Sequence, residues 1–242
     1  MIHCTSYSLS IKILYLTTWR SYFANSNPDT RTPFQDVAGI LRSSHKYDIQ
    51  NFRRQAIQEL KKIFPCTLLD YDAIYCGNDR PTAPTLMGSI SLARSCNALE
   101  LLPSAYYFIC EFSISDTLKS FAPLVRHDLE ICMLARDRLQ SAQETQSYPW
   151  IFNPKPSEGC QSKKACELVG FQHLKRLISM RHHTKCHPLQ KFLSRDRIKE
   201  VYCSSCAADI RSSTELGREK VWNELPGYFG LGTWEELRIA QD

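Results

Sequence analysis

The first chemical question is set by one short run near the C-terminus, Cys203-Ser204-Ser205-Cys206. Two cysteines two residues apart put both thiolates on one turn, which is one half of a tetrahedral zinc site. Cys160 and Cys166 offer the other half, across 36 intervening residues. Both their own spacing and that gap exceed the usual zinc-finger values (about two to four residues within a pair), so the four meet only if their loops converge. Cys186 and His187 are substitute ligands, with His182 and His183 beside them. A catalytic zinc is not expected, because no glutamate stands between histidines as in His-Glu-x-x-His. The Cys203/Cys206 pair also has the form of a redox dithiol at a helix start, but that chemistry belongs to a βαβ setting not read here. The plain alternative is a pair of buried thiols. Cys66, Cys76, Cys96, Cys110 and Cys132 read as small apolar core residues.

A second polar cluster lies in Ser43–Ala56, "SSHKYDIQNFRRQA". It reads as the joint of a helical hairpin. Asp48 is expected to cap the second helix, Arg53 and Arg54 to lie on its wet face, and His45 to end the first helix, where a cation is favoured. No phosphate loop, Gly-x-Ser-x-Gly elbow or dinucleotide fingerprint occurs, and with 9 glycines cradle loops are scarce. An enzyme is therefore not expected.

The positioning elements follow from length and pattern. The 242 residues are 43% hydrophobic, enough to bury a sizeable core. A net charge of +5 and a pI of about 8.6, with acidic residues interleaved among the basic ones, indicate a solvated surface more than a polyanion grip. Eleven cysteines cannot all pair, and no secretory signal or membrane span is read, so the expected setting is reducing and intracellular.

Residues 1–24 read as one buried apolar element, a helix in preference to a strand. Thr32-Pro33 opens a short helix to about Ser44. Ile49, Phe52, Ala56, Ile57, Leu60, Ile63 and Phe64 repeat at three and four in the next helix, which Pro65 stops. Residues 70–84 read as a loop. Helices are then expected near Leu86–Leu99, from Pro103 through an all-apolar run that must be central, from Ser115 to Phe121, and from Leu124 to about Gln143. The three-proline stretch "SYPWIFNPKPSEG" is a loop. Beyond it lie helices near Lys164–Met180 and Ala207–Leu225, and an aromatic tail around Tyr228, Phe229, Leu231, Trp234 and Leu237 that folds back onto the core.

Three blocks in this order resemble the fungal BTB/POZ domain-containing protein family. Val37-Ala38-Gly39-Ile40-Leu41-Arg42, Ser44-His45-Lys46-Tyr47 and Phe52-Arg53-Arg54 resemble its closing helical hairpin. Ala93, Ala98, Leu102, Pro103, Ser104, Ala105 and Tyr107 match the skeleton of its next block. Cys203, Cys206, the Gly217-Arg218…Trp222 helix, Leu225-Pro226 and Trp234-Glu235-Glu236-Leu237 resemble its C-terminal segment. A complete BTB domain places a mixed sheet before the hairpin. The 32 residues that precede it here show no such strands, so the chain is expected to be an N-terminally truncated member. BTB dimerisation and a cullin-type ligase contact are not carried over, because the positions that would make them are missing.

The expected fold is mainly α: a partial BTB/POZ-like domain at 1–66 with its hairpin at 33–64, a helical region at 67–148, and a Cys/His-containing helical subdomain at 149–242. The expected role is a non-enzymatic adaptor or scaffold that binds a protein partner, carries one structural zinc, and engages neither membrane nor nucleic acid. The rival is a zinc-stabilised nucleic-acid-binding regulator, supported by Lys163, Lys164, Lys175, Arg176, Arg181 and Lys185 around the metal region.

Overall fold

Apolar residues recurring at three- and four-residue intervals turn nearly all of the described chain into helix. The structure, a computed structural model, describes residues 33–76, 80–179, 186–191 and 195–240. The apolar element read at 1–24, the Thr32 cap, His182 and His183 lie outside them. Among the described residues there are thirteen α-helices and no strand, so the mainly α expectation holds. No helix among them is long and apolar enough to cross a membrane.

α1 (Phe34–Lys46) and α2 (Gln50–Lys61) form the tight hairpin. The joint differs from the sequence reading in two ways. Asp48 does not cap α2: it takes the left-handed conformation, φ 54°, that turns the chain, and Ile49 occupies the cap position. Arg53 is not on the wet face. It is buried, and its guanidinium donates to the carbonyls of Cys96 and Asn97 at 3.3 and 3.1 Å, tying the hairpin to the end of the fourth helix. Arg54 is exposed, as expected.

Residues 70–84 are not all loop. Leu68–Cys76 is a helix, α3, capped by Thr67, whose Oγ1 accepts from Asp70 N–H at 3.1 Å. Tyr71 and Ile74 point inward. α4 (Ala83–Ser95) starts at the Thr82 cap, three residues before the expected start. A 3₁₀ turn, Leu99–Leu101, then leads into α5 (Leu102–Cys110), all nine residues of which are buried. This is the central helix the apolar run predicts. α6 (Ile114–Ser120) is capped by Ser113, not Ser115. α7 (Arg126–Ala142) is extended by a π turn, Gln143–Ser147.

α8 (Pro149–Phe152) is a single turn inside the predicted loop. α9 (Lys163–Ser179) matches its expected span, and α10 (Arg195–Val201) was not anticipated. α11 (Ser204–Asn223) starts three residues before the expected Ala207. α12 (Leu225–Tyr228) and α13 (Trp234–Ile239) carry the aromatic tail back onto the core. Trp234 stacks on Trp222 at 5.5 Å and 17°, and its indole N–H donates to the Trp222 carbonyl at 2.8 Å.

The described residues beyond 149 divide mainly between two cores, with Ile151 and Leu177 joining Tyr148 in a third, minor cluster. Cys186, Leu189, Val221, Trp222, Leu225, Phe229 and Trp234 join the large core around α5. Cys160, Cys166, Ile198, Tyr202, Cys206, Ala207 and Ile210 make a small satellite core. α11 runs through both. Its middle is held by Arg218, a fully buried guanidinium that pairs with Asp72 of α3 and with Glu215 at 2.7 Å, and donates from Nε to the Leu189 carbonyl at 2.7 Å. Beside it, Gly217 lets α11 meet the backbone of the π turn: a Cβ there would overlap the Gln146 carbonyl.

Two substitutions test this joint. Gly217→Ala should cost about 3 kcal/mol despite the better helix propensity of alanine, because the obstruction is backbone and cannot swing aside. Arg218→Ala should cost a similar amount, about 3 kcal/mol, by leaving Asp72 and the Leu189 carbonyl without their buried partner. Urea unfolding of each variant beside the wild type reads both.

Candidate metal centre

The sulfurs of Cys160, Cys166, Cys203 and Cys206 all lie within 4.8 Å of one another. All four are free thiols, and three of them are buried. Zinc–sulfur bonds of about 2.3 Å in a tetrahedron require sulfur–sulfur edges of about 3.8 Å. The observed cluster is close to that size, with the Cys203 and Cys160 sulfurs 3.6 Å apart.

Local structure explains the convergence. Cys203 is the N-cap of α11, and its sulfur accepts the Cys206 N–H at 3.5 Å, so the Cys-x-x-Cys run is the cap and first turn of a long helix. Cys166 lies in the first turn of α9, with its N–H on the Ser162 carbonyl at 3.0 Å. Cys160 precedes it in a bend closed by its N–H to the Ser157 carbonyl at 3.1 Å. The wide Cys160–Cys166 spacing is thus a bend plus a helix start. Two helix N-termini aim at the sulfurs, and their partial positive charge favours thiolate. The Cys206 N–H draws the Cys203 thiol down to about 6, while burial pushes Cys160 up to about 12 and raises Cys166 as well.

The surrounding shell was not read from the sequence. Ser157 donates its N–H to Cys206 Sγ at 3.3 Å, its hydroxyl lies 3.4 Å from the same sulfur, and that hydroxyl also donates to Ser205 Oγ at 2.8 Å. Donors of this kind orient thiolate ligands. No spacing rule points to a serine in a proline-rich loop; only the fold brings it there. Tyr202 is buried on the other side, with its ring stacked on His173 at 5.8 Å and edge-on to Trp150 at 6.3 Å. Gly170 lets α9 pass close to Pro154, where a Cβ would press on the proline ring.

The substitute ligands lie elsewhere. Cys186 is in the large core, with its sulfur 3.9 Å from the Arg136 carbonyl. His187 faces Glu111, Nδ1 to Oε1 3.4 Å. Glu111 also accepts from the Tyr71 hydroxyl at 3.1 Å and pairs with Arg80 at 2.9 Å. His45 and Asp48 are both exposed on the hairpin joint, where the Asp48 carboxylate accepts from Gln50.

Comparison with family models, with curated proteins and with solved structures finds no match to this chain.

His173 gives the satellite core a pH signature. Burial lowers its pKa below the ordinary 6.5, and Arg176 and Arg197 lower it further. Its Nε2 is buried without a hydrogen-bond partner. The folded state therefore resists protonation that the unfolded chain accepts. Above pH about 6.5 this has no effect on stability; below it, stability falls as the pH falls. His173→Phe keeps the stack on Tyr202 and removes the titration. Its thermal midpoint should fall less than that of the wild type between pH 6.5 and 5, measured side by side.

Proposed function

We propose that the chain is a non-catalytic protein–protein interaction module whose C-terminal helices are clamped by one structural zinc at Cys160, Cys166, Cys203 and Cys206. The observation that carries the proposal is the meeting of four free thiols, from two segments far apart in sequence, in a cluster of tetrahedral zinc size. A closed set of four sulfurs leaves no coordination position for water or substrate, which favours a structural over a catalytic metal. Thiolate donors in such a geometry suit zinc among the common divalent ions.

The interaction half of the reading is supported by α9. Leu168, Phe171 and Ile178 are 59%, 50% and 53% exposed. They share one face of the helix with Lys164 and Lys175, which are exposed too. An apolar stripe of this kind in water marks a docking surface, and the interleaved lysines fit an acidic partner. Cys166 lies in the first turn of the same helix, so the metal would fix the stripe's position. The helical hairpin α1–α2 and the block resemblance add support for a BTB-like adaptor. A nucleic-acid regulator draws on the exposed Lys163, Lys164, Lys175 and Arg176. Phosphate contacts have no use for the leucine, phenylalanine and isoleucine among them, and such binding would fall steeply with salt.

Metal analysis of chain purified without chelator tests the centre. About one zinc per chain is expected, and a Cys203→Ser, Cys206→Ser double variant should lose both the metal and part of the thermal stability. Wild-type protein without metal would overturn the zinc reading.

A further inference from the structure

The four thiols are not equivalent. Cys166 and Cys206 are built into the first turns of α9 and α11, and Cys206 is also held by the Ser157 N–H. Cys160 lies on irregular chain between α8 and α9, where a short displacement disturbs no helix. Cys203 sits on a cap and is the only one of the four that is partly exposed. The Cys160 and Cys203 sulfurs are 3.6 Å apart, a little over 1.5 Å more than a disulfide of about 2.05 Å requires. A cleft of about 320 Å³, walled by Trp150, Pro154, Tyr202 and Ile210, reaches Cys166 and Cys206 and not this pair, so a small reagent meets the pair through the exposed part of Cys203.

We propose that this centre is an oxidation site: hydrogen peroxide joins Cys160 to Cys203 as a disulfide, and the bond releases the metal. The disulfide stands on the thiol geometry alone; the release rests on the zinc reading above. The Cys203 sulfur attacks one peroxide oxygen, the O–O bond breaks, and Cys203 becomes a sulfenic acid while hydroxide leaves. The Cys160 sulfur then attacks the Cys203 sulfur. The S–S bond forms, the S–O bond breaks, and a second hydroxide leaves. The two sulfurs give up two electrons, the peroxide takes them, and two protons from solvent complete two waters. A zinc ion held at the centre would keep only the sulfurs of Cys166 and Cys206, half of its ligand set, and would be lost to solvent. Cys166 then loses its link to α11, and the N-terminal turn of α9 with the stripe behind it is held less firmly. A thiol reductant reverses the disulfide and restores the site.

The test uses the full chain as purified, exposed to graded hydrogen peroxide in the presence of a chromophoric zinc chelator. Aliquots are quenched by alkylation and their disulfides mapped by peptide mass spectrometry, with free glutathione as the oxidation control. Zinc is expected to appear in step with a Cys160–Cys203 disulfide, about one ion per bond, and dithiothreitol with added zinc should reverse both. Mapping is done on wild-type protein, so it does not depend on a variant that fails to fold. Retained zinc and four intact thiols under conditions that oxidise the control would overturn the proposal and leave the metal reading standing. A disulfide between any other two of the four would also overturn it. A Cys160–Cys203 disulfide in protein that holds no zinc would uphold the oxidation site and sink the metal reading.

Discussion

A single buried charge fixes the relation between the two halves of this molecule. Arg218 has no exposure, and removing a guanidinium from water costs several kcal/mol unless its hydrogens find acceptors. They find Asp72 on α3, Glu215 one turn earlier on α11, and the carbonyl of Leu189. Lys191 approaches the same two carboxylates, at 3.0 Å from Asp72 and 3.8 Å from Glu215. The acceptors come from three separate parts of the chain, so the charge is tolerated only when all three are in place. Gly217, pressed against the π turn, sets how closely α11 can approach. Everything at the N-terminal end of α11, including Cys203 and Cys206, is positioned from this fixed point.

The two cores differ in what holds them. The large one is dense in aromatic contacts: Tyr71 meets Tyr107, Phe108 and Trp222 at 5.7–6.0 Å, and Tyr106 meets Phe229 at 5.3 Å. The satellite core has only a handful of buried apolar side chains, and two of its polar atoms, Tyr202 Oη and His173 Nε2, are buried without partners. So small an apolar set contributes little by area alone. A metal bound by four thiolates would supply the missing cohesion, since such binding energy is folding energy.

How much of this was legible in the sequence depended on whether the signal was local. The all-apolar run of α5 announces a central helix, the three-and-four repeat of α2 marks that helix but runs past its end at Lys61 to Ile63 and Phe64, and the aromatic tail folds back as its pattern implies. The four cysteines were nameable because two of them form a Cys-x-x-Cys run and thiolate chemistry is narrow. Their convergence was not readable, because it depends on where α9 and α11 begin. α3 was hidden by Asp70 and Asp72, which look like loop residues yet lie in the helix, where Asp70 N–H meets the Thr67 cap and Asp72 serves Arg218. Arg53 was misjudged for the same reason: a basic residue on the polar side of a helical repeat reads as solvated until the neighbouring turn offers it two carbonyls. Ser157 gave no signal at all, since its partner lies 49 residues away.

The closure of the large core has a consequence for synthesis on the ribosome. Trp222, Phe229 and Trp234 pack against residues made much earlier, and the Asn97 side chain donates to the Ala240 carbonyl, 143 residues further on, at 2.8 Å. Translation at about 5–20 residues per second puts on the order of ten seconds between the emergence of those two partners. Through that interval the apolar flank of α5 that later meets Phe229 and Leu225 has no native cover. The nascent chain therefore offers a large aromatic surface while it is still tethered, which is the kind of surface that ribosome-associated chaperones bind and that neighbouring nascent chains can capture.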